Sequence, residues 1–254
     1  MGSKSLIHQI LLRGSRAGVL ALLLAAVASP AFARAPKSAS ADFERFRWSF
    51  FEDNDSPRNG LDTVALRRLA GKERRTAERM LIRYLPDARG VIGLGALRSA
   101  RAEPQLRRLF MAERRAQRAA HGTPASTGRV YMLLYLAKAL WPIRPHAHYL
   151  AAVTDVLAAS NRHLSRMEAA IALSVFRHTA AVRALIKALD DPERLVRHHA
   201  ANSILAIHGL RDLDDTSNVN MEHMIYRIMS EDADKRDGGK RDVLAAIAGR
   251  PITR

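Results

Sequence analysis

A 31-residue echo is the feature that most restricts what this 254-residue chain can become. From Met167 the sequence reads MEAAIALSVFRH, and from His198 it reads HHAANSILAIHG. Ala169-Ala170 falls on Ala200-Ala201, Leu173 on Ile204 and Phe176 on Ile207. A period of this length marks a repeat architecture, in which each unit is one supersecondary module and stacked neighbours build a continuous core. The intervening TAAVRALIKALDDPERLVR carries Val182, Leu185, Ile186 and Leu189 as one apolar stripe at helical spacing. The unit is therefore predicted to be helix, short turn, helix. Asp190-Asp191-Pro192 supplies the turn, with an aspartate placed to cap, Pro192 suited to the first helical position and Glu193 near the positive end of the helix. Gly209 ends the second helix. The paired alanines let adjacent helices approach to the short end of the usual separation of about 8–10 Å.

An earlier copy lies in GVIGLGALRSARAEPQLRRLF, where Leu94-Gly95 stands for Leu173-Ser174 and Leu106 for Leu185. The offset is 79 residues, two units plus an excess assigned to the turn-like QRAAHGTPASTG and WPIRPHAH. A middle copy uses RVYMLLYLAKAL and YLAAVTDVLAA, with stripes through Val130, Leu133, Leu134, Ala137 and Leu140 and through Leu150, Val153, Val156 and Leu157. At the N-terminal end Phe43, Phe46, Trp48, Phe50 and Phe51 form an aromatic cluster out of keeping with the rest, read as a cap over residues 43–60. At the other end residues 217–254 are predicted to be two closing helices, with Met221, Met224, Ile225, Ile228 and Met229 as core. The fold expected of residues 43–254 is all-α, a right-handed α-solenoid (superhelix) of stacked antiparallel helix pairs, roughly four or five of them.

Ala181-Val182-Arg183-Ala184-Leu185-Ile186-Lys187-Ala188-Leu189, followed by Asp191, Val196-Arg197 and Ala200-Ala201, resembles the HEAT-like repeat first named in phycobilisome lyases. Arg183 stands where that pattern has proline, and Ser174 and Leu205 where it has glycine. The resemblance implies that Asp191 and Arg197 hold the turn between helices. It implies no particular activity, because such repeats serve as scaffold for many functions.

The first 33 residues read as an export signal. Lys4, Arg13 and Arg16 form a positive region without acids, Ala17 to Ala28 is an apolar core, and Ala31-Phe32-Ala33 offers small residues for cleavage after Ala33. Pro30 interrupts the run before it reaches the roughly 20 residues of a spanning helix. No arginine pair precedes the core, which argues against the twin-arginine route. An uncleaved membrane anchor is the competing reading, and residues 34–42 read as a flexible linker. The expected location is therefore periplasmic or secreted.

Aromatic residues make up only 6% of the chain, a mixture that favours helices over a β-sandwich. Cysteine is absent, which excludes disulfides and thiolate metal sites. The formal charge is +16 and unevenly spread: residues 67–118 hold 15 Lys or Arg against 5 Asp or Glu. Arg67, Arg68, Lys72, Arg75 and Arg79 recur at helical spacing, and Arg107, Arg108, Arg114, Arg115 and Arg118 do so again one unit later. Stacking would align them as a basic face for an acidic protein surface or an anionic lipid or glycan. Nucleic acid is disfavoured for an exported chain, and any membrane contact is expected to be peripheral or through an uncleaved signal.

Catalytic signatures are weak. EDNDSPRNG has acids at Asp53 and Asp55, but Pro57 and a late Gly60 spoil it as a calcium loop. His146, His148, His163, His178, His198, His199, His208 and His223 crowd the second half without a recognisable ligand set. No phosphate loop, nucleophile elbow or zinc-protease motif is present. The sequence predicts no cofactor, no metal and no catalytic residues. The reading is an exported, non-catalytic binding or scaffold protein of the cell envelope. The alternative is an enzyme or lyase-like enzyme accessory on the same repeat.

Overall fold

The two echoed segments are both helices in a computed structural model that describes residues 39–51, 60–119, 127–211 and 219–252. The expected signal segment, the acidic loop around Asp53 and Asp55, and residues 120–126 and 212–218 lie outside the described residues. Among the described residues all regular structure is helical. The helices are α1 (Ala41–Phe51), α2 (Thr63–Arg68), α3 (Gly71–Arg83), α4 (Ala88–Ala96), α5 (Glu103–Ala119) and α6 (Thr127–Leu140). They continue with α7 (Ala147–Ala159), α8 (His163–Leu173), α9 (Thr179–Ala188), α10 (Arg194–Ile207), α11 (Val219–Ile228) and α12 (Ala233–Ile247).

Helices adjacent in sequence pair by packing: α3 with α4, α5 with α6, α7 with α8, α9 with α10 and α11 with α12. The even-numbered members then touch in order, α4 to α6, α6 to α8 and α8 to α10. Each of these even helices is therefore flanked by its predecessor and successor and backed by its pair mate. Ala169, Ala170, Ala200 and Ala201 are fully buried in this row. Small residues set the spacing. A Cβ added to Gly95 of α4 would lie 2.6 Å from the Ala139 Cα of α6. Ser203 of α10 donates to the Ala170 carbonyl of α8 at 2.9 Å, a bond that requires similarly close backbones.

Buried arginine closes the turns. Arg197 is 2% exposed. It donates to the carbonyls of Asp191 and Pro192 in its own turn, both at 2.8 Å. It also donates to those of Ile228, Met229 and Ser230, at 2.9, 3.4 and 3.2 Å, at the end of α11 and beyond it. One unit earlier Arg166 donates to the Ser160 carbonyl at 2.9 Å and grips both Asp191 carboxylate oxygens, at 2.8 and 2.9 Å. The role that the resemblance implied for Asp191 and Arg197 is thus divided between two arginines. Asp191 binds the arginine before it, and Arg197 binds the backbone on both sides.

Local details depart from expectation. Helix α10 begins at Arg194, with Glu193 as its cap, so Pro192 precedes the helix instead of opening it. Asp191 accepts from the Glu193 amide at 2.9 Å, capping the turn and not the helix. Gly209 does end α10, at φ +69°, with Leu210 N–H reaching back to Leu205. Arg98 occupies the same left-handed conformation after α4, at φ +48°, with Ser99 N–H reaching Leu94. Helix α1 starts at Ala41, so the expected linker of 34–42 loses its last two residues to the first turn. Phe43, Phe46 and Phe50 are buried and Phe50 meets Tyr84 edge-on, whereas Trp48 points away from the cluster and is 53% exposed. Ile225 and Ile228 are core in α11, as the sequence suggested.

Replacing Arg197 with Met keeps the volume and removes every donor. Five bonds to buried or partly buried carbonyls would then go unmade, and unfolding free energy should fall by roughly 3 kcal/mol. Urea denaturation of Arg197→Met measures this, and an unchanged midpoint would show that those carbonyls find other donors.

Candidate functional site

Two surfaces collect the polar chemistry of the fold, one on odd-numbered helices and one on the even-numbered row.

The first is basic. On α3 the exposed residues Lys72, Arg75, Arg79 and Arg83 share one helical face, at successive offsets of three, four and four. Arg83 was not among the residues singled out from the sequence, although the same spacing reaches it. On α5 Arg107, Arg108, Arg115 and Arg118 are exposed around Met111, itself 42% exposed. Arg67 and Arg68, also exposed, sit on the short α2. Few of these cations are neutralised. Arg107 lies 3.7 Å from Glu103, and Arg68 lies 4.0 Å from Asp42. Among the described residues Arg79 donates only to the Thr76 hydroxyl. Arg114 departs from the expected row. It is half-buried and ion-paired with Asp155 of α7, with a second bond to Gln117 at 2.6 Å. It joins α5 to α7 and is not part of an open face. Arg74, though also on α3, donates to the Leu97 carbonyl.

The second is a largely half-buried stripe along α6, α8 and α10. Tyr131, Tyr135 and Lys138 lie on it in α6, Leu164, Glu168 and Ile171 in α8, and Leu195, His199 and the buried Asn202 in α10. Each trio has the spacing i, i+4, i+7 of one helical stripe. The α8 and α10 trios are 31 residues apart, the repeat itself. Burial dominates the titration here. It holds the Lys138 ammonium below the ordinary lysine value, against the pull of Glu168. It raises the Glu168 carboxyl, against Lys138. Burial also raises Tyr135, helped by the Glu168 charge. Both members of the Lys138–Glu168 pair shift towards neutrality, so desolvation outweighs their attraction. Neither makes an ion pair or hydrogen bond among the described residues. His199 falls to about 4, first through burial and then through neighbouring His198. None of these polar residues except the histidine drew attention in the sequence.

The histidines divide by role. His146 and His178 cap α7 and α9, each ring accepting from the amide two residues on, at 3.3 and 3.1 Å. His148 stacks on Phe110. His198 contacts Met229 sulfur and the Asn202 amide nitrogen. Among the described residues no group of three or more His, Asp or Glu could hold a metal ion. No helix among them is long and apolar enough to cross a membrane.

A family model described as the PBS lyase HEAT-like repeat matches residues 165–191. The match runs through α8 and α9 to Asp191, the carboxylate that Arg166 grips. The chain therefore contains a HEAT-like repeat. No curated protein and no solved structure matches it significantly. In HEAT-like terms Ser165 to Asp191 is one unit, and the surfaces described above are what successive units leave uncovered.

A buried neutral imidazole makes stability depend on pH. The His199 value falls from 6.5 to about 4 on folding, so between these values the unfolded chain binds a proton that the folded chain refuses. Its stabilising contribution is complete above pH 6.5 and is lost as pH falls towards 4. Denaturant midpoints measured across that interval should fall more steeply for the parent than for His199→Gln, and parallel profiles would contradict the burial of His199.

Proposed function

We propose that this HEAT-like repeat protein is a non-catalytic binding or scaffold protein that holds an acidic partner through the arginine faces of α3 and α5. The partner presents carboxylates on a protein segment, with an anionic lipid or glycan as the other source of such charge. One observation carries the reading. Lys72, Arg75, Arg79, Arg83, Arg108, Arg115 and Arg118 are exposed and form no ion pair among the described residues. A folded chain gains nothing in stability from so many like charges, and their repulsion costs some, so a partner that neutralises them is the natural reason for their presence. Arginine suits that partner because its planar fork grips carboxylates in pairs of bonds. The packing order of α3 on α4, α4 on α6 and α6 on α5 makes the two basic helices successive members of one array. The reading takes that array to be a right-handed solenoid of antiparallel pairs. It also takes the chain to be exported to the cell envelope, on the strength of Lys4, Arg13 and Arg16, the apolar core after them and Ala31-Phe32-Ala33.

The test follows from the geometry. Arg75, Arg108, Arg115 and Arg118 are each replaced by Glu, and Arg114 is left alone because it secures α5 to α7. Oligoglutamate and vesicles with anionic headgroups serve as separate probes. The parent should bind one of them with affinity that drops steeply with salt, because exposed charges are screened beyond about 8–10 Å. The variant should bind about tenfold or more weakly with unchanged circular dichroism. A folded variant that binds as well as the parent would remove the basic faces from the mechanism. Export is tested separately: mass spectrometry of the protein from its native host should place Arg34 at or near the N-terminus, and a full-length cytosolic product would refute it.

A further inference from the structure

The turns between helices fall into two sets, at opposite ends of the same helices. Residues 97–102, 141–146 and 174–178 lead from an even helix to the next odd one. They hold Arg98, Arg101, Arg144 and Arg177, all exposed, with the exposed caps His146 and His178, and not one acid. The other set, residues 84–87, 160–162, 189–193 and 229–232, carries Asp87, Asp190, Asp191, Glu193, Glu231 and Asp232 against a single arginine, Arg162. Side-chain contacts join the first set into one edge. The Trp141 ring lies 4.8 Å from that of Phe176 and meets His178 edge-on at 6.4 Å, so the turn after α6 touches the turn after α8. Phe110 of α5 packs on His148 and Tyr149 at the start of α7, at 5.5 and 4.9 Å. The charges of Glu103, Arg107 and Arg144 all reach the Tyr149 hydroxyl. Glu103, the acid at the head of α5, has a side chain only 12% exposed. Val175, 38% exposed, and the half-buried Trp141 and Ile143 stand among the arginines in the same turns. Helix ends do not account for the sign of the edge. Each of these turns joins the negative end of one helix to the positive end of the next, so an arginine there gains from one and loses to the other.

We propose that this edge docks the protein on an anionic lipid bilayer, a role separate from that of the arginine faces on α3 and α5. Three observations select that occupant. The arginines are spread over three successive turns, which suits an extended layer of headgroups, where each cation adds its attraction without a fixed partner. The opposite ends of the helices are acidic, so a broad anionic surface attracts one edge, repels the other and orients the chain as it approaches. The apolar side chains complete the match. A short acidic peptide or a nucleic acid would satisfy the arginines but offers no apolar layer beneath its charges. A bilayer offers both: tryptophan settles at the level of the headgroups, and isoleucine and valine beside arginine reach the acyl boundary. Trp141 is held in place for that purpose by Phe176, so docking orders no loose side chain.

The experiment reads which end of the helices meets the lipid. The chain has two tryptophans. Trp141 lies in the basic edge, whereas Trp48 lies near the end of α1 where Phe50 and Phe51 pack on Tyr84 of the opposite set of turns. Trp48→Phe and Trp141→Phe each leave one reporter, and vesicles of phosphatidylglycerol with brominated phosphatidylcholine quench indoles that reach them. Trp141 should be quenched and Trp48 should keep its emission. The full chain should sediment with these vesicles and not with vesicles of phosphatidylcholine alone. Arg98→Asn with Arg101→Gln and Arg144→Gln should weaken sedimentation by about tenfold or more with unchanged circular dichroism. Asparagine is chosen because it tolerates the left-handed backbone at position 98. This edge variant should bind oligoglutamate nearly as the parent does. The quadruple Arg→Glu variant of α3 and α5, carried into the Trp48→Phe background, should still show Trp141 quenched once bound, so failure of the basic-face reading leaves this one standing. Quenching of Trp48 and not Trp141 overturns the docking edge. Undiminished binding by the edge variant overturns it too, as does equal binding to the uncharged vesicles or no binding by the parent.

Discussion

The repeat depends on arginine reaching the backbone of a turn. Three arginines in succession stand six residues after a residue that accepts a bond from the amide two positions on. Ser160 precedes Arg166, Asp191 precedes Arg197, and Ser230 precedes Arg236. In each case the guanidinium returns to the carbonyl of that residue, at 2.9, 2.8 and 3.5 Å. The physical need is plain. A sharp turn between helices leaves carbonyls that no helix satisfies, and stacking the next unit over them shuts out the water that would otherwise do so. A planar fork with five N–H groups can serve several such carbonyls at once, where a lysine would offer a single compact charge. Serine and aspartate alternate freely at the capping place because either oxygen can accept from the amide. Only Asp191 adds a carboxylate, and that carboxylate is the one that ties Arg166 of one unit to the turn of the next.

Close approach is the second constraint, and it determines what remains open. Gly95 against Ala139 and Ser203 against the Ala170 carbonyl fix the even helices at short range along their flanks. With both flanks and the back of each helix occupied, one stripe is left. In α6, α8 and α10 the residues there are mostly polar, aromatic or exposed leucine, where the rest of the helix is largely apolar. The half-burial of that stripe follows from neighbours standing so near, and it is what depresses His199 and Lys138 and raises Glu168.

The unit, its period and its alanine contacts were legible in the sequence because they recur at fixed offset and helical spacing. Other features were not, and each has a physical reason. Arg166 forms the most complete ion pair of the repeat, but its partner is 25 residues away and nothing local announces it. Arg114 belongs by spacing to a basic row, yet its place on α5 turns it towards Asp155, a choice made by tertiary packing. Pro192 looked like a helix opener, whereas the carboxylate of Asp191 bonds two residues on and delays the helix to Arg194. Trp48 read as part of the aromatic cap, but Phe43, Phe46 and Phe50 already fill the buried face of α1, which leaves the indole outside. The open stripe escaped notice because its members come one helix at a time, each diluted among alanines and leucines, and meet only when three units are assembled.

A row of helices backed by a second row offers two surfaces that its own core never claims, and their electrostatics differ in kind. Charges on α3 and α5 stand in water, act over a Debye length and weaken with salt. The groups on α6, α8 and α10 are partly desolvated, and burial governs their titration instead. Because neither contributes to the arginine-closed turns or the alanine contacts, each can change residue by residue without disturbing the repeat. One repeat framework can therefore support unrelated functions, because its surface stripes vary independently of its core.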